Sequence, residues 1–123
     1  DGLAQVVDAR GFARMRACAQ ATYMHDDVLE YAVRLVRATR ATPLLEAGAS
    51  PRATMDLVRL SRCAAWLAGD DFVTPACVER QFTCALRHRV ALGAQARAEG
   101  LTADDVLGQV SSEVEHPGLG RGL

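Results

Sequence analysis

Arg52 conflicts with its place in the chain. Ser50-Pro51 opens a helix, with Ser50 as the cap and Pro51 at the first helical position, which puts Arg52 in the first turn. The macrodipole and the free backbone N–H groups of a helix start oppose a cation. The same groups suit an anion, phosphate above all. A guanidinium beside Gly48-Ala49-Ser50-Pro51 would add a bidentate donor to such an anion site. The plainer reading of Arg52 is an exposed arginine bridging to a nearby carboxylate.

No other group makes a comparable site. Cys18, Cys63, Cys77 and Cys84 contain no C-x-x-C pair and read as buried, reduced thiols. Cys77, Cys84 and His88 stand at i, i+7 and i+11 along one helix side, but only Cys84 and His88 could share an ion. The usual set of four ligands is not reached, so no metal site is assigned. His25 lies beside a helix start and reads as a surface residue. His88, within Arg87-His88-Arg89, sits near a helix C-terminus, where cations are favoured. Asp70-Asp71 and Asp104-Asp105 look like paired carboxylates, yet each lies at a turn or a cap, where a solvated or capping role suffices. No nucleophile motif surrounds a Ser, Cys, His or Asp, so no catalytic residue is expected.

Composition narrows the function classes further. The chain has 123 residues, one domain's worth, of which 50% are hydrophobic and 24% charged. A chain of this size buries roughly 60–70% of its unfolded surface and can hold a core without disulfides or metal. Aromatics are only 5%, and the abundance of Ala, Val, Leu and Arg favours helices packed on small side chains. All 14 basic residues are arginine, against 15 acidic ones, for a net charge of −1. That balance counts against a non-specific nucleic-acid binder. The absence of lysine excludes a Schiff-base enzyme and a lysine-dependent phosphate loop. No run of 18 apolar residues and no signal-peptide pattern occur, which points to the cytoplasm. The chain starts with Asp1 rather than Met and reads as a piece of something longer.

Five helical stretches position these residues. The first runs from about Asp8 to Gln20, capped by Asp8, with a Phe12, Met15 and Ala19 stripe. The second is marked by Asp27 and Glu30 at capping-box spacing. Behind them Val28, Tyr31, Ala32, Leu35, Val36 and Thr39 form an apolar stripe, with Arg34, Arg37 and Arg40 away from it. After a loop from Ala41 to Ala49, the third helix should bury Ala53, Leu57, Leu60, Ala64 and Leu67 and end at Gly69. Phe72 and Val73 should tuck into the core. Thr74-Pro75 opens a fourth helix through Val78, Phe82 and Leu86 to about Val90. A capping box at Thr102 and Asp105 opens a fifth, with Val106, Val110 and Val114 inside, stopped by His116-Pro117. The fold class is all-α: a compact four-helix bundle with an additional C-terminal helix over residues 8–117. Residues 1–7 read as a linker and 118–123 as a frayed tail.

These segments carry a family resemblance. Val28-Leu29-Glu30-Tyr31, Leu35-Val36-Arg37-Ala38-Thr39-Arg40, Gly48-Ala49-Ser50-Pro51-Arg52-Ala53 and Phe72-Val73-Thr74-Pro75, taken in order, resemble the C-terminal lid domain of MoxR-type AAA+ ATPases. Leu86-Arg87-His88-Arg89, Glu99-Gly100-Leu101-Thr102 and Asp105-Val106-Leu107 fit the same pattern. The resemblance implies that Gly48 to Ala53 is the sensor II segment, with Gly48, Ser50 and Arg52 facing ATP phosphates in the full-length protein and Arg52 reaching the γ-phosphate. It implies an ATPase core preceding Asp1, to which the lid would answer, and neighbouring subunits of a hexameric ring. ATP and magnesium would be bound by that parent and not tightly by this chain, which alone should be a monomer without enzymatic activity. A von Willebrand A domain protein is a further implied partner. The competing reading is a free-standing helical module that binds protein or nucleic acid, with Arg34, Arg37, Arg40, Arg59 and Arg62 as phosphate-contacting faces.

Overall fold

The computed structural model describes residues 8–118. The linker expected over residues 1–7 lies outside the described residues, as does the tail after Gly118. Helix α1 (Ala9–Gln20) starts as its cap demands, because Asp8 Oδ1 accepts from the Gly11 N–H at 2.7 Å. Its stripe is only partly used: Ala19 is buried, whereas Phe12 is 56% and Met15 38% exposed. This peripheral helix packs chiefly on α3 (Ala53–Leu67), near the point where Gln20 Nε2 donates to the Arg59 carbonyl.

Helix α2 (Asp26–Thr39) buries Val28, Tyr31, Ala32, Leu35, Val36 and Thr39, the stripe expected from periodicity. Its start differs from expectation. His25 is the cap, with Nδ1 accepting from the Asp27 N–H at 3.0 Å. Asp26 and Asp27 thereby enter the first turn, where negative charge suits the dipole.

The Ala41–Ala49 loop contains a strand, β1 (Leu45–Ala47), antiparallel to β2 (Ala91–Leu92) through Leu45↔Leu92 and Ala47↔Ala91, with an irregular register between these pairs. The Gly93 N–H donates to the Leu44 carbonyl at 2.9 Å and continues the pairing.

Helix α3 buries Ala53, Leu57, Val58, Ser61 and Ala65, whereas Leu60 and Ala64 are half-buried and Leu67 is 73% exposed. The buried row steps by four residues because α3 packs against α1, α2 and α4, which sets a different inner face from the one hydrophobicity suggests. At its end Gly69 takes φ +81°, and the Gly69 and Asp70 N–H groups donate to the Trp66 and Ala65 carbonyls. Val73 is then buried and Phe72 is 54% exposed. The Val73 N–H donates to the Tyr23 carbonyl in a bridge between extended segments. Neighbouring extended residues point to opposite sides, so both could not enter the core.

Helix α4 (Pro75–Leu86) is capped by Thr74, whose Oγ1 accepts from the Cys77 N–H at 3.1 Å, and buries Val78, Phe82 and Leu86. It stops four residues earlier than expected, where the chain turns into β2. A short helix, α5 (Ala94–Ala98), was not anticipated. Helix α6 (Ala103–Glu113) carries the expected capping box of Thr102 and Asp105 and buries Val106, Leu107 and Val110, with Val114 half-buried.

The architecture is all-α, with the small sheet as a clip across one end. Its core joins Tyr31, Leu35, Leu57, Phe82, Leu86 and Leu107, all fully buried, to Leu44, Leu45 and Ala49 of the loop. Each large apolar side chain contributes about 1.5–3 kcal/mol on full burial. The stretch after α6 returns across α2: Arg34 donates to the Glu115 carbonyl at 2.9 Å, and His116 Nε2 lies 3.0 Å from Glu79 Oε2. Tyr31 donates to the same carboxylate at 3.3 Å. Burial first, and Glu79 second, hold the Tyr31 phenol well above its ordinary range.

Candidate functional site

The turn bearing Arg52 is fixed from the residues before it. Thr39, in the last turn of α2, donates Oγ1–H to the Val36 carbonyl at 2.6 Å and accepts the Ala49 N–H at 2.9 Å. Arg40 Nη1 donates to the Ala49 carbonyl at 2.8 Å. Both backbone polar groups of Ala49, which is fully buried, are thus held by consecutive residues of one helix end. Gly48 permits this approach: a Cβ there would lie 2.4 Å from the Thr39 carbonyl oxygen and 2.7 Å from the Arg40 Cα.

From Ala49 the chain makes a tight turn. The Ala53, Thr54 and Met55 N–H groups donate to the Ser50, Pro51 and Arg52 carbonyls at 2.9, 3.1 and 3.1 Å. Ser50 therefore does not cap α3 through its side chain, and Arg52 occupies the cap position with helical φ and ψ and no side-chain cap bond. The tight turn takes up N–H groups that an open helix start would offer to an anion. The guanidinium itself is left as the donor. Ser50 and Arg52 are exposed, Gly48 is half-buried, and the Arg52 side chain makes no hydrogen bond or ion pair among the described residues. The nearest acidic residue on its helix, Asp56, pairs instead with Arg89 and with Arg59.

The remaining candidates separate from this turn. Cys77 is buried, Cys63 half-buried, and Cys18 and Cys84 exposed, which corrects the expectation of four buried thiols. Burial pushes the Cys77 thiol up, with Arg80 pulling it down and Asp70 adding to the rise. Helix α4 ends before His88, so Cys84 and His88 do not share a helical face, and no metal-holding cluster of His, Cys, Asp or Glu occurs among the described residues. Asp105 closes the α6 capping box, Asp104 pairs with Arg87 at 3.2 Å, and Asp70 and Asp71 are exposed. Of the arginines that could have lined a nucleic-acid face, Arg34 and Arg40 are engaged within the fold.

Sequence reasoning missed the clamp on Ala49. It placed Thr39 among apolar fillers and Arg40 among outward residues. The available signal was a hydroxyl in a buried stripe, since such a group must find a partner. A groove of about 560 Å³ between the end of α2, the loop before β1, α5 and α6 was likewise unforeseen. Ala38, Leu44, Leu101 and Val110 line it beside Glu99 and Glu113, and it lacks Arg52.

Comparison with known proteins places this geometry. Residues 37–110 match the AAA lid domain family. The chain is 30% identical over 122 residues to Chaperone MoxR1 of Mycobacterium tuberculosis, an alignment covering 92% of this chain and 32% of that protein. It is 29% identical over 115 residues to the uncharacterised protein YeaC of Bacillus subtilis, covering 94% of this chain and 36% of that one. The chain spans about a third of the length of these relatives. A crystal structure of a candidate ATPase from Cytophaga hutchinsonii has the same fold, with a TM-score of 0.81 at 23% identity over 90% of this chain and 36% of that one. No helix among the described residues is long and apolar enough to cross a membrane. With more than half its length matched by the family model, the chain belongs to the AAA lid domain family, and it is similar to the matching part of a MoxR chaperone.

Proposed function

We propose that this domain is the sensor II lid of a chaperone-like ATPase, closing over ATP so that Arg52 meets the γ-phosphate. One observation carries the reading: Arg52 projects from a fixed turn with its guanidinium exposed and without a partner among the described residues. A free guanidinium against the helix dipole fits a bidentate phosphate contact. Gly48 serves by letting the turn approach α2, and Ser50 lies on the exposed side of the same turn. The donor set fits phosphate and not magnesium, so the metal would be held by the preceding ATPase core. Closure on that core would pass nucleotide state to neighbouring subunits of a hexameric ring.

Arg52→Ala tests the reading. In the full-length ATPase it should lower turnover by about 10²–10³-fold, the usual cost of one lost transition-state donor. In the 123-residue chain it should leave the melting temperature unchanged or slightly raised, since the charge opposes the dipole by about 0.3–1 kcal/mol. Arg59→Ala, two turns along the same helix, is the matched control and should spare turnover. Equal turnover in the two variants, or unfolding of Arg52→Ala, would make Arg52 a structural residue.

A further inference from the structure

We infer that Thr39 and Arg40 are positioning residues for Arg52, acting through Ala49, so that the end of α2 sets where the guanidinium stands. The inference rests on the reading of Arg52 as a phosphate contact and extends it to residues outside the sensor segment. Ala49 precedes Arg52 by three residues, and both its N–H and its carbonyl are held by α2, at 2.9 Å by Thr39 and 2.8 Å by Arg40. Thr39 is itself fixed, because its hydroxyl proton goes to the Val36 carbonyl at 2.6 Å. Gly48 lies so close to Thr39 and Arg40 that no Cβ fits between them. From Ala49 to Ala53 the tight turn contains a proline and its own hydrogen bonds, so little slack separates the held residue from Arg52.

The two grips differ. Thr39 acts from a buried site within the helix, while Arg40 is exposed and reaches the carbonyl through a long side chain. Losing the Thr39 hydroxyl would leave the buried Ala49 N–H unpaired. Losing the Arg40 guanidinium would free a carbonyl that water can reach. Arg40 is therefore the grip that can be removed with the fold kept. A charged contact misplaced by about 1 Å can cost on the order of 10²-fold in rate, so a loosened turn should show in turnover.

The experiment pairs two measurements. In the 123-residue chain, ¹⁵N relaxation should show the amides of residues 49, 50, 52 and 53 ordered in the wild type, with S² about 0.85, and falling towards about 0.6 in Arg40→Ala. Melting temperature should stay close to wild type, and Thr39→Ser should keep the turn ordered while Thr39→Val loosens it. In the full-length ATPase, Arg40→Ala should lower kcat for MgATP about tenfold, Arg40→Lys should recover most of it, and Arg40→Ala should add nothing in an Arg52→Ala background. A turn as ordered in Arg40→Ala and Thr39→Val as in wild type would overturn the inference. So would a loss of kcat that simply multiplies with that of Arg52→Ala. An Arg52→Ala enzyme with wild-type turnover would instead bring down the phosphate reading, and with it the link from the clamp to hydrolysis.

Discussion

Cys77 donates its thiol to the Ser61 carbonyl at 3.5 Å from inside the core, and burial raises its pKa. The thiolate is the reactive form, so Cys77 should resist a thiol reagent while the exposed Cys18 and Cys84 react. With a disulfide reagent at pH 8, those two should be consumed first and Cys77 only when urea unfolds the chain; equal rates at all positions would contradict the burial. Gly48 gives a second expectation. Gly48→Ala puts a methyl 2.4 Å from the Thr39 carbonyl oxygen, so backbone must move. Overpacking of this kind costs about 1–3 kcal/mol, which a shift in the urea midpoint would register. That Arg52 stands exposed at the start of α3 was legible in the sequence, from the Ser50-Pro51 pair before it. The jobs of Gly48 and Thr39 were not, because their partners lie nine or ten residues away across a loop, and spacing along one element says nothing about such a contact.

Among the elements, the caps show where local rules suffice. Thr102 and Asp105 form the box that their spacing indicates, and Thr74 caps α4 as its Thr-Pro pair indicates. Asp27 and Glu30 have similar spacing, yet α2 begins earlier, because the chain leaves Tyr23 in a bridge to Phe72 and His25 reaches the Asp27 N–H first. Ser50 loses its cap role to a tight turn imposed from α2. The strands and α5 are two to five residues long and too short to display a period; distant pairing makes them. The α6 box also predicts a pH response. The Thr102 backbone N–H, and then its side chain, hold the Asp105 carboxyl below its usual range. A pKa lower in the folded than in the unfolded state gives stability that is present above the ordinary carboxylate range. That stability is lost as pH falls through the lowered value. The protection of the α6 amides, taken relative to their intrinsic exchange rate at each pH, should therefore fall on acidification, and Asp105→Asn should lower it already at pH 7 and remove this pH step. Thr102→Ala should cost about 1 kcal/mol, read from urea unfolding.

At the scale of the whole molecule, the stripes of α2, α4 and α6 were enough to indicate a helical bundle, since each of those helices sinks one continuous face into a shared core. They did not indicate that apolar residues such as Phe12, Met55, Leu67 and Phe72 would stay on the surface. Which face of α3 is inner depends on three neighbours, and α1 has its neighbour mainly on one side. The same global view bounds how well this chain can hold nucleotide by itself. It has 14 arginines and no lysine. The turn before α3 offers one exposed guanidinium, while the Ala53, Thr54 and Met55 N–H groups that follow it are bonded to carbonyls. A hydrogen bond to a charged group is worth about 1.5–3 kcal/mol net, whereas a micromolar complex requires about 8.2 kcal/mol. One bidentate contact on an open surface falls well short of that and corresponds to millimolar binding at best. Calorimetry of the 123-residue chain with MgATP should accordingly give no measurable heat at micromolar nucleotide. NMR at millimolar nucleotide should move the Arg52 side-chain signal and leave the Arg59 signal in place. A micromolar Kd, or hydrolysis by the chain alone, would mean that it carries a nucleotide cradle of its own, and the proposal that Arg52 meets a nucleotide held elsewhere would fall.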